Sequence, residues 1–370
     1  MKKTYLFVAA AMAGVLLFAG INLKPAAPYG FVKGTPQIKS ITALTFGPTG
    51  VLFIGDSQSA AVFAVDTKDG KKATAQAYDM QGIDTKIAQA LGTIKENITI
   101  TDMAVNPVSK KLYIAVKSAD GTPLLLTVNN DNQIQAVALK DVDFSSVALN
   151  DAPAAPADAA DRAANQKRVS SISDIAYANG KLMVSGLSNK EFSSSFRSIS
   201  FPFTGKQEDE ASLEMYHTSH GRYETTSPIR TFTTTTIDGK NYVVASYTCT
   251  PLVLFPMDEL KAGAHVKGRT IAEMGNQNTP SDMIWLKEGA QNYLVMANSN
   301  RPAVKVSYDD IKSFQGSLTQ QVPGSGGTTF TKLPYEKVLQ LDKLDDGRAV
   351  VIQRKANGDV DLWTSDGKNI

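Results

Sequence analysis

Ile41 to Asp66 reads "ITALTFGPTGVLFIGDSQSAAVFAVD". A short apolar run, "ITALTF", ends at Gly47-Pro48-Thr49-Gly50, a turn cluster in which Gly supplies positive φ and Pro pre-sets the bend. "VLFIG" follows, then the polar loop "DSQS", then "AVFAV". Short β-branched and aromatic runs bounded by Gly, Pro, Asp and Ser predict strand, turn, strand, loop, strand. Three adjacent strands of this kind leave two apolar faces that one sheet alone cannot cover.

The same grammar recurs along the chain. From Ile100 the sequence is "ITDMAVNPVSKKLYIAVKSADGTPLLLTV", and from Ile172 it is "ISDIAYANGKLMVSGLSNKEF". Pro228 opens "PIRTFTTTTIDGKNYVVASYTCTPLVLFP" and Pro280 opens "PSDMIWLKEGAQNYLVMANSNRPAVKV". A sixth, weaker copy starts at Val338, "VLQLDKLDDGRAVVIQRKANGDVDLWTSDG". A repeat of roughly 50–60 residues with three or four strands per unit predicts a propeller blade, each blade burying its faces against its neighbours. The expected fold is therefore an all-β, six-bladed β-propeller spanning residues 31–370, with no long amphipathic helix to suggest a solenoid or a Rossmann fold. A seven-bladed ring is the alternative, with a degenerate blade between Val128 and Val169. Within that interval, "ALNDAPAAPADAADRAANQK" predicts a loop or short helical insertion at about 148–168. The sixth copy ends after its third strand, at "DVDLWT", and an open edge invites pairing with other chains. The N-terminal segment "FVKGTPQIKS", Phe31 to Ser40, is expected to supply the strand that closes the ring.

Lys2 and Lys3 precede the apolar run "TYLFVAAAMAGVLLFAG", so residues 1–27 read as a signal peptide or an N-terminal anchor. Without those two lysines the formal charge falls from +2 to zero, which gives no steering towards nucleic acid. Cys249 is the one cysteine, so no disulfide forms within the chain. An export signal and a core held by packing alone suit a periplasmic or secreted protein.

"LTFGPTGVLFIGDSQSAAVFAVD", Leu44 to Asp66, resembles a unit of the NHL-repeat and gluconolactonase-like (senescence marker protein, SMP-30) propellers. "MAVNPVSKKLYIAV", Met103 to Val116, repeats the pattern. The resemblance implies a propeller and, for a lactonase-type metal-dependent hydrolase, a divalent metal ion at the ring centre held by Glu, Asn and Asp. Ala43 stands near the place where such enzymes carry the glutamate.

In a propeller, the inner strand of each blade starts at the face where its second strand ends. Aligning the copies places Ala43, Asp102, Asp174, Arg230, Asp282 and Gln340 at the starts of the inner strands, around one channel mouth. The ends of the second strands add Asp56, Asn298, Asn300 and Arg301. Aspartates at such positions either cap loop N–H groups or converge on a cation or polar ligand. Like charges so close are expected to push carboxyl pKa values up unless Arg230 or a cation compensates. On the same face, "HTSHGRYET" carries His217, His220 and Glu224, which with Cys249 would suit zinc or copper. The alternative for this stretch is a polar loop whose imidazoles bond carbonyls. No G-x-S-x-G, H-E-x-x-H or phosphate-binding loop occurs. These readings favour an exported module that binds a small polar ligand or a periplasmic protein. A metal-dependent hydrolase and an accessory protein to a redox or metal system are the alternatives.

Overall fold

The computed structural model describes residues 28–366, apart from 130, 159 and 206–208. The expected signal or anchor at residues 1–27 lies outside the described residues. No described helix is long and apolar enough to cross a membrane.

Each of the six aligned copies folds into the inner three strands of its own antiparallel sheet, so the chain is a six-bladed β-propeller. In the first copy these strands are Ala43–Phe46, Val51–Asp56 and Ala61–Asp66. Gly47, Pro48, Thr49 and Gly50 make the turn as expected, with Gly50 at φ 81° and backbone atoms of Asp69 in the space a Cβ would take. The second strands are the most apolar, and Val51–Asp56 is buried throughout. Each is covered by neighbouring blades on both faces, as a near-continuous run of Val, Leu, Ile and Phe requires.

The order of blades around the ring differs from their order in the chain. Six hydrophobic clusters fill the spaces between neighbours. One joins the first blade to the second through Leu52, Ile54 and Phe63 against Tyr113 and Ala115. Another joins the first to the third through Phe53 and Val62 against Ile172, Val184 and Phe201. The second blade meets the sixth, with Leu112 and Ile114 packed against Val350 and Ile352. The ring therefore runs second, first, third, fourth, fifth, sixth, and back to the second.

This order dictates the outer strands. The sixth blade is completed by Asp79–Met80, whose residues pair with Trp363 and Leu362. The first blade receives its fourth strand, Val142–Ala148, only after the second blade has been built. The expected closure by residues 31–40 is corrected on this point. Val32–Gly34 pairs with Val142–Phe144 at the outside of the first blade instead. The ring is still closed by a strand from the N-terminal part of the chain, but that strand follows the first blade rather than preceding it. The seven-blade alternative also falls. Ile134–Ala136 is the outer strand of the second blade and Val142–Ala148 that of the first, so the interval holds no separate blade. The Ala- and Pro-rich stretch carries the helix Arg162–Val169, capped by Asp161, whose side chain accepts from the Ala164 N–H.

Candidate functional site

The inner strands surround an axial channel with a pocket at either end. The upper pocket, on the face formed by loops between blades and loops after the second strands, has a volume of about 460 Å³. Its walls include Ser40 and Thr42 of the first blade, Thr101 of the second and Ser173 of the third. Arg230, Ser281 and Gln340 continue the wall through the fourth, fifth and sixth blades, and Gln166 and Val169 place the helix at the mouth. The lower pocket is about 740 Å³. Asp102, Asp174 and Asp282 line both, so these carboxyls form the constriction between them.

Each of the three joins neighbouring blades. Asp102 accepts from the Leu44 N–H at 2.5 Å, Asp174 from the Phe232 N–H at 2.9 Å, and Asp282 from the Leu341 N–H at 2.7 Å. The donor in each case lies on the inner strand of the next blade around the ring. An edge N–H facing the channel would otherwise lack a partner, and a carboxyl oxygen accepts its hydrogen bond. A fourth aspartate, Asp342, does the same for the Val105 N–H at 2.6 Å. It was missed because Gln340 occupies the aligned position. The period of two in a strand is the signal that places Asp342 on the same face, one step deeper.

Largely enclosed by protein at the channel constriction, these carboxyls resist ionisation. Burial lifts Asp174 to about 7 despite N–H groups from Phe232 and Ile175 that pull it down. Burial likewise lifts Asp342 to about 6. Asp102 and Asp282 are raised well above the ordinary aspartate value by burial, reinforced by neighbouring aspartates: Asp174 acts on Asp102, and Asp102 on Asp282. Arg230 lines the upper pocket but makes no ion pair with them among the described residues; burial lowers its own pKa and its Nε has no hydrogen-bond partner. The compensation expected from Arg230 is therefore not visible.

The other expected residues occupy different places. Asp56 is fully buried and spends its oxygens on the N–H groups of Lys39, Ser40 and Ser59 and on the Ser40 hydroxyl. It anchors the loop ahead of the first blade. Asn298 donates to the Pro302 carbonyl, Asn300 to the Gln277 carbonyl, and Arg301 to the Asn276 carbonyl. Asn300 and Arg301 stitch the loop Gly275–Thr279 to the fifth blade, Asn298 bridges the turn between that blade's second and third strands, and none of the three is among the residues lining either axial pocket.

The "HTSHGRYET" stretch lies on the same face, at the junction of the third and fourth blades. His217 ends the strand Asp209–His217 and is 2% exposed. The chain then turns, with the His220 and Gly221 N–H groups donating to the His217 carbonyl. This brings the two imidazole centroids to 3.9 Å. Glu224 sits beneath both, with Oε2 2.8 Å from His217 Nδ1 and Oε1 2.6 Å from His220 Nδ1. Burial pushes its carboxyl up, but bonds from His217, His220 and Ser227 together hold it well below the usual glutamate range. Cys249 approaches from the fourth blade, and ligand atoms of His217, His220 and Cys249 lie within 4.8 Å of one another. A second buried carboxyl, Glu273, accepts from the Thr218 hydroxyl and fixes the residue between the histidines. Glu273 lies on the strand Arg269–Glu273, far along the chain, and no motif announces it.

The architecture is that of a β-propeller, and solved propellers resemble it at low identity. The Swd1 β-propeller domain of Myceliophteria thermophila shares 12% identity over 87% of this chain and 82% of that one, with a TM-score of 0.37. Drosophila Semaphorin 1b, extracellular domains 1-2, shares 7% over 89% and 87%, with a TM-score of 0.40. The PQQ-bound aldose sugar dehydrogenase of Streptomyces coelicolor shares 11% over 91% and 99%, with a TM-score of 0.34. Such likeness carries nothing about activity. No family model and no curated protein matches the chain, so membership of the NHL or SMP-30 families is not shown.

Proposed function

We propose that this protein is an exported binding module whose ligand site is the upper axial pocket. The observation that carries the reading is the convergence of all six blades on one pocket of about 460 Å³ whose floor is Asp102, Asp174 and Asp282. That volume suits a small molecule. Walls of Ser, Thr and Gln side chains supply hydrogen bonds, and the floor favours a ligand with a cationic amine or several donors. Such a cation replaces the protons that the carboxyls hold in its absence. The basic, apolar N-terminus supports export to a periplasm or beyond.

The test is a thermal-shift and calorimetric panel of small polar compounds, including primary and quaternary amines and calcium, on wild type and Asp174→Asn. One compound class should raise the wild-type melting temperature, release protons on binding, and bind the variant at least tenfold more weakly. A panel that leaves wild type unmoved, or binds both proteins equally, overturns the reading.

A further inference from the structure

We propose that His217, His220 and Cys249 form a binding site for a late first-row transition ion, copper or zinc, with Glu224 orienting both imidazoles. The site is separate from the axial pocket, and its ligands come from two blades.

The carboxylate beneath the rings decides the chemistry. A glutamate oxygen accepts, so each imidazole must present Nδ1–H to Glu224, at 2.8 and 2.6 Å. In neutral histidine the lone pair then lies on Nε2. For His217 that atom is buried and has no hydrogen-bond partner among the described residues. A purely structural histidine at 2% exposure is expected to use both nitrogens, because an unpaired buried polar atom costs free energy. If the ring were doubly protonated, an N–H would be stranded in the same place. A metal ion satisfies the lone pair, and a carboxylate on the far nitrogen is the usual partner of a metal-bound imidazole.

The remaining geometry agrees. One ring nitrogen from each histidine and the Cys249 sulfur already lie within 4.8 Å of one another, and ordinary bonds of about 2.0 Å to nitrogen and 2.3 Å to sulfur require roughly 3.5 Å. Closing that gap requires movements of about an ångström shared among the three side chains. The sulfur is held by an unusual backbone. Cys249 and Thr250 both have positive φ, 67° and 54°, a conformation that costs non-glycine residues energy and gathers at working sites. The Cys249 N–H to the Asn278 carbonyl and the Thr250 hydroxyl to the Gly275 carbonyl hold that turn in place. His220 is 42% exposed in its side chain, which leaves one side of the site open to solvent for a fourth ligand. Two imidazoles and one thiolate select copper or zinc over calcium or magnesium, which prefer oxygen. Binding forms the metal–sulfur bond as the Cys249 thiol proton leaves to solvent. The ion would then join the third blade to the fourth.

The experiment uses the purified protein, reduced and stripped of metal, titrated anaerobically with cobalt(II) as a spectroscopic probe and then with zinc(II) and copper(I) against competing chelators. One equivalent should bind, with a thiolate-to-cobalt charge-transfer band that zinc displaces, and the melting temperature should rise. Cys249→Ser should abolish the band. His220→Ala should weaken zinc at least 100-fold, a loss read as affinity at a temperature where the metal-free variant is fully folded. Glu224→Gln, which can accept from only one of the two Nδ1–H groups, should weaken zinc about 10- to 100-fold yet keep the band at saturation. Absence of stoichiometric binding overturns the proposal, and so does equal affinity in wild type, Cys249→Ser and His220→Ala. Neither result bears on the axial pocket.

Discussion

Gly186 lies where the second strand of the third blade runs against the loop that brings the chain into that blade. A Cβ there would meet the Ser171 carbonyl oxygen at 2.2 Å, and that oxygen belongs to backbone that cannot rotate away. The close approach is used: Leu187 donates to the Ser170 carbonyl, and Arg197 reaches the Ser171 carbonyl. Gly186→Ala should therefore destabilise the protein by about 1–3 kcal/mol, the range for overpacking a filled site. Gly180→Ala is the control for glycine loss, since its Cβ would meet nothing although its φ of 76° still adds strain. Urea unfolding of both variants gives the comparison, and Gly186→Ala as mild as Gly180→Ala would refute the close-packing account. The aspartates act at the same scale. Each ties one blade to the next through a single N–H, which explains why acids sit on an apolar strand.

Ring closure belongs to the elements. Asp79–Met80 is short, yet its surroundings hold it firmly: Tyr78 N–H donates to Thr364 Oγ1, Thr364 N–H to the Tyr78 carbonyl, and Gly82 N–H to Asp361. Met80 is 3% exposed and packs into the cluster between the sixth and second blades. The crossing that delivers this strand is pinned by Asp69, which accepts from Ser109 and Tyr113 of the second blade. Val32, in the segment first expected to close the ring, is 60% exposed. Met80→Ala should cost about 2–5 kcal/mol as a buried truncation. Val32→Ala should fall within about 0.5 kcal/mol of wild type. Denaturant midpoints decide the matter, and a reversed order would remove Asp79–Met80 from its role as the closing strand.

Across the whole molecule, the channel carboxyls set the pH dependence of stability. Asp174 and Asp342 keep their protons in the fold up to about 7 and 6, and Asp102 and Asp282 are raised well above the ordinary value. An unfolded aspartate loses its proton near 3.9. Between those values the folded state binds more protons, so stability is full below the unfolded pKa and falls as pH rises through the folded one. The loss is at most about 1.4 kcal/mol per unit of displacement, and less where channel water screens the carboxyl. Depressed carboxyls work the other way at the acid end. Lys343 and Lys287 hold Asp346 at about 2, and its contribution is lost as pH falls towards that value. That group is exposed, so its effect is small. Scanning calorimetry should therefore find the melting temperature falling from pH 5 to pH 8, with a shallower slope in Asp174→Asn. A melting temperature that climbs over this range would show that the channel carboxyls are ionised in the fold.

Strand grammar, the six copies and the face on which the aspartates and histidines gather were legible in the sequence, because strand period and turn chemistry are local properties. Asp102, Asp174 and Asp282 could be aligned, since each occupies the same place in its repeat. Asp342 could not, because its blade shifts the contact by one pleat. The identity of the closing strand and the order second, first, third around the ring were decided only by tertiary structure. A repeat specifies how strands pair inside a blade, but blades are alike, and which neighbour each one meets depends on how long-range side-chain packing fits. Glu224 beneath both imidazoles, and Cys249 brought to them from the next blade, are decided in the same way: the cluster exists only where two blades meet.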